Sequence, residues 1–123
     1  MFPPKMPTKA EVLLTRGCNL ACSYCSMVQY KSDFKHEEWK EHNELSNEEW
    51  GRVPSKLVEL GVPFAAVYGA EAITRLPALI EFIKGSVSAN LPMTIITSGV
   101  GLSDKTIWEL KDDGLRSISM SYD

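Results

Sequence analysis

The sequence predicts an α/β protein built on a parallel sheet. Three observations lead there. Four short runs read as strands, the first three apolar and the last alternating. The segments between them carry helical spacing with recognisable start and stop signals. Strands and helices of these lengths alternate along the chain, the pattern of βαβ units with right-handed crossovers. The 123 residues, 44% apolar and 24% charged, suffice for one domain-sized core. No internal repeat or low-complexity tract interrupts them.

Residues 1–8 contain three prolines and read as an extended lead-in. Ala10 to Thr15 (AEVLLT) is a first strand of the buried parallel kind. Residues 26–45 form a polar insertion that carries both histidines, His36 and His42. Ser46-Asn47-Glu48-Glu49 is a capping box, with Ser at the N-cap and Glu three residues on. The helix it opens runs toward Leu60 and stops at Gly61, with a kink or a break expected at Pro54. Trp50, Val53, Leu57, Val58 and Leu60 form its inner side.

Phe64 to Tyr68 (FAAVY) is the second strand, followed by Gly69-Ala70-Glu71-Ala72. Leu76 to Lys84 is a helix, with Pro77 in its first turn, an apolar stripe of Leu76, Leu79, Ile80 and Ile83, and Gly85 as its stop. Met93 to Thr97 (MTIIT) is the third strand and ends in Ser98-Gly99. Ser103 caps a helix with Asp104 at its positive end, and Gly114 closes it. Ile107 and Leu110 face inward there, and Trp108 is a further candidate. Arg116 to Tyr122 (RSISMSY) is the fourth strand. Its alternation puts Ile118, Met120 and Tyr122 on one face and Ser117, Ser119 and Ser121 on the other.

In a parallel α/β sheet all C-terminal strand ends lie on one rim, where such proteins place their chemistry. Four stretches therefore converge: Cys18–Cys25, Gly69–Glu71, Ser98-Gly99 and Ser121–Asp123. The first holds all three cysteines of the protein, at C-x3-C-x2-C spacing. An odd number of thiols fits a disulfide framework poorly. A structural zinc site would need a fourth protein ligand, for which His36 or His42 is available. An iron–sulfur cluster can be held by thiolates alone. Three thiolates on a four-iron cube leave one iron open to a small molecule.

These residues carry a resemblance. Cys18, Cys22 and Cys25, with an aromatic residue (Tyr24) just before the last, resemble the signature of the radical S-adenosylmethionine (radical SAM) superfamily. Thr15-Arg16-Gly17-Cys18-Asn19-Leu20 is similar to its "T-x-x-C-N-L" lead-in. Gly69-Ala70-Glu71-Ala72-Ile73-Thr74-Arg75 resembles "G-G-E-P-L-L-R": Gly69, Glu71 and Arg75 match, while Ala70 and Ala72 replace Gly and Pro. Thr97-Ser98-Gly99 is similar to "T-N-G", and Ser121-Tyr122-Asp123 to "S-x-D-G".

The resemblance implies the first four strands of a partial (β/α)6, TIM-like barrel, with the polar face of the fourth strand lining the lumen. It implies a [4Fe-4S] cluster on Cys18, Cys22 and Cys25, with S-adenosylmethionine (SAM) on the open iron. Gly69, Ala70 and Glu71 would orient the methionine end, Tyr24 the adenine and Ser121 the ribose, with Ser98 at the neighbouring strand end. The chemistry implied is reductive cleavage of SAM to a 5′-deoxyadenosyl radical, which takes hydrogen from a substrate that the chain does not name. An electron donor such as flavodoxin or ferredoxin is implied as partner. Four strands of six lead us to expect an N-terminal part of a longer enzyme, or a truncated product, across residues 1–123.

Two other readings stand beside this one. The first is a non-catalytic zinc module using the three cysteines and a histidine. The second is a βαβ scaffold that binds a partner without catalysis. The net charge of −3 shows no basic patch and argues against a nucleic-acid backbone as main partner. Met1-Phe2-Pro3-Pro4-Lys5 lacks the apolar core of a signal peptide, and no apolar run approaches the ~18 residues of a membrane span. Clustered thiols without a secretion signal lead us to expect a reducing cytoplasm.

Overall fold

The computed structural model describes residues 5–25 and 44–121. Its elements follow the order β1 (Ala10–Leu13), α1 (Asn47–Glu59), β2 (Ala65–Tyr68), a 3-10 helix (Ala72–Arg75), α2 (Leu76–Ser88), β3 (Met93–Thr97), α3 (Asp104–Asp112) and β4 (Ile118–Met120). The four strands form one sheet in the order β1-β2-β3-β4, and every pairing is parallel. Each strand therefore lies beside its neighbour in sequence. That order never reverses, unlike a doubly wound sheet, and crossovers of one hand then lay successive helices on one face. This is the α/β arrangement expected, and it is compatible with an open segment of a TIM-like barrel.

Register decides which residues meet the helices. Val12, Val67, Ile95 and Ile118 stand in one row across the sheet. The first three are buried in a core shared with Leu79, Phe82, Ile83, Leu110 and Leu115. Burial of each large aliphatic or aromatic side chain there stabilises the fold by about 1.5–3 kcal/mol. Side chains alternate along a strand, so Leu13, Tyr68, Ile96 and Ser119 occupy the opposite face. Ser117 lies on that face too, its hydroxyl 3.0 Å from that of Thr94. Ser119 of β4 and Ser117 just before it thus look away from the helices, as the alternation predicts.

Helix α1 begins at the capping box: Ser46 Oγ accepts from the Glu49 N–H at 3.2 Å, and Glu49 Oε2 accepts from the Ser46 N–H at 2.7 Å. Pro54 neither breaks nor ends it; the helix runs unbroken through Glu59 with Pro54 buried. Proline there removes one helical hydrogen bond. Its ring is placed against α2, where a side chain at Gly85 would come within 3.2 Å of Pro54 Cγ and 2.2 Å of the Gly51 carbonyl oxygen. The same contact explains a second difference. Gly85 does not stop α2, which continues to Ser88; glycine at 85 lets the backbones of α1 and α2 touch.

The inner stripe of α1 is Trp50, Val53, Pro54 and Leu57. Val58 and Leu60 were expected inside but are exposed, Leu60 by 71%, because the helical period carries them to the flanks of that stripe. On α3 only Leu110 is buried. Ile107 is exposed and Trp108 points outward, 59% exposed, with Lys111 Nζ 4.4 Å from its ring centre. β1 and β4 are shorter than expected. Thr15 and Arg116 fall outside the ladder, and Tyr122 and Asp123 lie outside the described residues.

Candidate functional site

The C-terminal ends of β1, β2 and β3 meet on one rim, and side chains knit them together. Thr15 is the hinge point at the end of β1. Its carbonyl accepts the Ala70 N–H at 3.1 Å, and its hydroxyl accepts the Gly17 N–H at 3.1 Å. Gly17 in turn accepts the Glu71 N–H at 2.8 Å. The turn after β2 is thereby bonded, residue by residue, to the strand end that launches the cysteine loop. Gly69 has to be glycine for this approach: a Cβ there would sit 2.7 Å from the Thr15 carbonyl oxygen.

Glu71 is buried, 3% exposed, and its carboxylate is filled by donors. Oε1 accepts from Thr97 Oγ1 at 2.6 Å and from the Ile73 N–H at 3.3 Å. Oε2 accepts from the Ser98 N–H at 3.0 Å and from Ser98 Oγ at 2.8 Å. Burial pushes the carboxyl pKa up, but the bonds from Thr97, Ser98 and Ile73 outweigh it and hold it below the usual carboxylate value. One buried carboxylate thus caps the 3-10 helix and locks the end of β2 to the end of β3.

The cysteine loop lies across this rim. Cys18, Cys22 and Cys25 are free thiols, each partly exposed. Asn19 Nδ2 donates to the Val100 carbonyl at 3.1 Å, tying the loop to the turn after β3. The Leu20 N–H donates to Cys18 Sγ at 3.4 Å. A turn closes from the Cys25 N–H to the Cys22 carbonyl at 3.1 Å. Tyr24 is exposed on the same loop. The donor set therefore suits a sulfur-loving group: three thiols on one short loop, one already hydrogen-bonded. Among the described residues no three His, Cys, Asp or Glu side chains are gathered closely enough to share one ion. The loop brings the three thiols to one rim without gathering them around one point.

Of the other expected site residues, Gly69, Ala70 and Ser98 lie on this rim. Ser121 follows β4 and is exposed; its N–H donates to the Thr97 carbonyl at 2.9 Å, which brings it to the end of β3. His36 and His42 lie outside the described residues. Sequence reasoning gave no role to four groups that bond the rim together: Thr15, Asn19, Thr97 and Glu44. The first three stand inside the quoted motifs. Glu44 stood in a run of charges with nothing local to mark it. No helix among the described residues is long and apolar enough to cross a membrane.

A parallel sheet wound in one direction, carrying a three-thiol loop at the end of its first strand, defines the class as an α/β core with a candidate metal- or cluster-binding loop. Residues 12–123 match the family model of the Radical SAM superfamily, and the chain belongs to that superfamily. Its members generally use a [4Fe-4S] cluster and SAM. The chain is 37% identical over 118 residues to a PqqA peptide cyclase of Rhizobium meliloti (strain 1021), covering 96% of this chain and 29% of that protein. A PqqA peptide cyclase of Methylocella silvestris is 35% identical over 108 residues, covering 88% of this chain and 27% of that one. One from Gluconobacter oxydans (strain 621H) is 32% identical over 122 residues, covering 99% and 32%. The chain thus spans about a third or less of the length of each of these curated relatives.

Proposed function

We propose that this chain is the cluster- and SAM-binding part of a radical SAM enzyme that modifies a peptide. Cys18, Cys22 and Cys25 would hold a [4Fe-4S] cluster. When bound, such a cluster supplies one electron for reductive cleavage of SAM. The observation that carries this reading is the placement of the thiol loop. It leaves the first strand of a sheet ordered 1-2-3-4 and is bonded through Asn19, Gly17 and Thr15 to the turns after β3 and β2.

The remaining roles follow from position. Gly69 and Ala70 offer backbone groups beside the thiol loop to the methionine end of SAM. Tyr24 is available to its adenine and Ser121 to its ribose. Glu71 and Ser98 serve the same pocket through the bond between them: Glu71 orients the turn that carries Gly69 and Ala70, and Ser98 holds Glu71. The face of β4 that carries Ser119 would border the substrate. A peptide is the substrate class that the PqqA peptide cyclases suggest. A reduced flavodoxin or ferredoxin would act as electron donor.

The test is anaerobic reconstitution with iron and sulfide, reduction, and measurement of 5′-deoxyadenosine and methionine released from SAM. Product from the wild-type protein and none from Cys22→Ala supports the reading. Retention of zinc with no iron uptake, lost on substitution of His36 and His42, would establish the zinc module instead.

A further inference from the structure

We infer that Glu44, paired with Arg75, is a positioning residue that sets the cysteine loop against the turn after β2. The inference deepens the proposed function and rests on it for its SAM-binding arm. Glu44 is far from the motif in sequence, yet it grips the root of the thiol loop. Its Oε1 accepts from the Arg16 N–H at 2.8 Å, and both carboxylate oxygens lie within reach of Thr15 Oγ1, at 3.1 and 3.3 Å. From the other side Arg75 Nη1 donates to Glu44 Oε2 at 3.1 Å. The Arg75 guanidinium also reaches the Leu45 carbonyl and Asn47 Oδ1. It therefore joins the last residue of the 3-10 helix to the start of α1.

Three features make this more than a surface ion pair. The two side chains are 26% and 23% exposed, so water screens the pair less than it screens an ion pair on the open surface. Glu44 collects donors from two separate segments, one leaving β1 and one following β2. And Thr15, which Glu44 holds, is the residue whose carbonyl accepts the Ala70 N–H and whose backbone Gly69 approaches. A displacement of Thr15 therefore passes directly to Gly69 and Ala70, the backbone offered to SAM. Glu44 touches none of the three cysteines through any of these bonds, so its loss separates cofactor placement from cluster ligation.

The test compares wild type with Glu44→Gln, which keeps size and removes charge, and with the milder Arg75→Lys. Two readouts are needed. In the reconstituted proteins, SAM affinity is measured by equilibrium dialysis beside iron content and the EPR spectrum without SAM. We expect Glu44→Gln to weaken SAM binding about tenfold, with Arg75→Lys between it and wild type, while iron content and the SAM-free spectrum stay as in wild type. In the metal-free proteins, hydrogen exchange is followed at the amides of Ala70 and Glu71, which donate to Thr15 and Gly17. We expect their exchange in Glu44→Gln to rise about fivefold or more, with the amides of β3 unchanged.

Unchanged SAM affinity together with unchanged exchange overturns the inference. Loss of iron in Glu44→Gln also overturns it, because Glu44 would then govern cluster assembly rather than placement. If wild type takes up no cluster or ignores SAM, the proposed function falls separately. The exchange measurement then still decides whether Glu44 couples the two turns.

Discussion

The junction of β2 with β3 and the cysteine loop lie on the same rim but are built differently. At the junction, Glu71 is buried and every strong contact of its carboxylate is made within the protein, by Thr97, Ser98 and Ile73. On the loop, the three thiols are partly exposed and not gathered around a common point. The first region is complete as the chain folds. Under the proposed function, the second would be a set of ligands whose final arrangement a bound group sets, in keeping with metal binding that is coupled to folding. A closely bonded rim carrying three ungathered thiols would divide the work under that reading: the protein positions, and a bound group would draw the thiols together.

The largest effect that separates the two regions is on the loop. Replacing any one of Cys18, Cys22 or Cys25 by Ala should reduce iron uptake to background. Folding stability of the metal-free chain should change by no more than about 0.5 kcal/mol, because partly exposed thiols outside the core contribute little to it. Iron analysis and urea melts of the same samples check both halves. A large loss of stability would mean that the thiols hold the fold as well.

At the junction the expectation reverses. Glu71→Gln should lower stability by about 1.5–3 kcal/mol, since a neutral amide cannot accept all of these donors and places an N–H opposite one of them. The effect depends on pH with a definite sign. The folded-state pKa of Glu71 lies below its ordinary value, so its stabilising contribution is complete above the ordinary range near 4.3 and is lost as pH falls through the lowered folded value. The gap between wild type and Glu71→Gln should therefore close on acidification from neutral pH. Urea melts from pH 7 to 3 measure it, and a gap that widens toward low pH would contradict this account.

Gly69→Ala tests how the two regions are joined. A methyl group 2.7 Å from the Thr15 carbonyl oxygen must push the loop and the turn apart. We expect a loss of about 1–3 kcal/mol, visible in thermal melts, together with weaker SAM binding. The smallest change belongs away from the rim. Trp108→Ala removes an outward-facing ring and its contact with Lys111, and should shift stability by less than about 1 kcal/mol in urea melts.

Much of this arrangement was legible in the chain. The strands came from apolar and alternating runs, α1 from its capping box, and the shared rim from the rule that parallel strands end on one side. The thiol loop was legible because its residues are adjacent. What escaped was whatever depends on a contact between distant segments. Pro54 and Gly85 signal breaks locally, but each is fitted to the other helix, and packing overrode the local signal. Val58 and Leu60 are apolar yet flank the α1 stripe filled by Trp50, Pro54 and Leu57, and Trp108 lies off the α3 face that buries Leu110. The bond from Thr97 to Glu71 spans 26 residues, and that from Arg75 to Glu44 spans 31; no local pattern announces either. The short 3-10 helix after Glu71 exists because Glu71 caps it while holding β3, so it too was hidden until the sheet was assembled.

The measurement that tests the central claim most directly is EPR of the anaerobically reconstituted and reduced protein, with and without SAM. A four-iron signal that changes on addition of SAM is the predicted result, because three thiolates leave one iron open to that ligand. A cluster signal indifferent to SAM, or zinc held in place of iron, would contradict it.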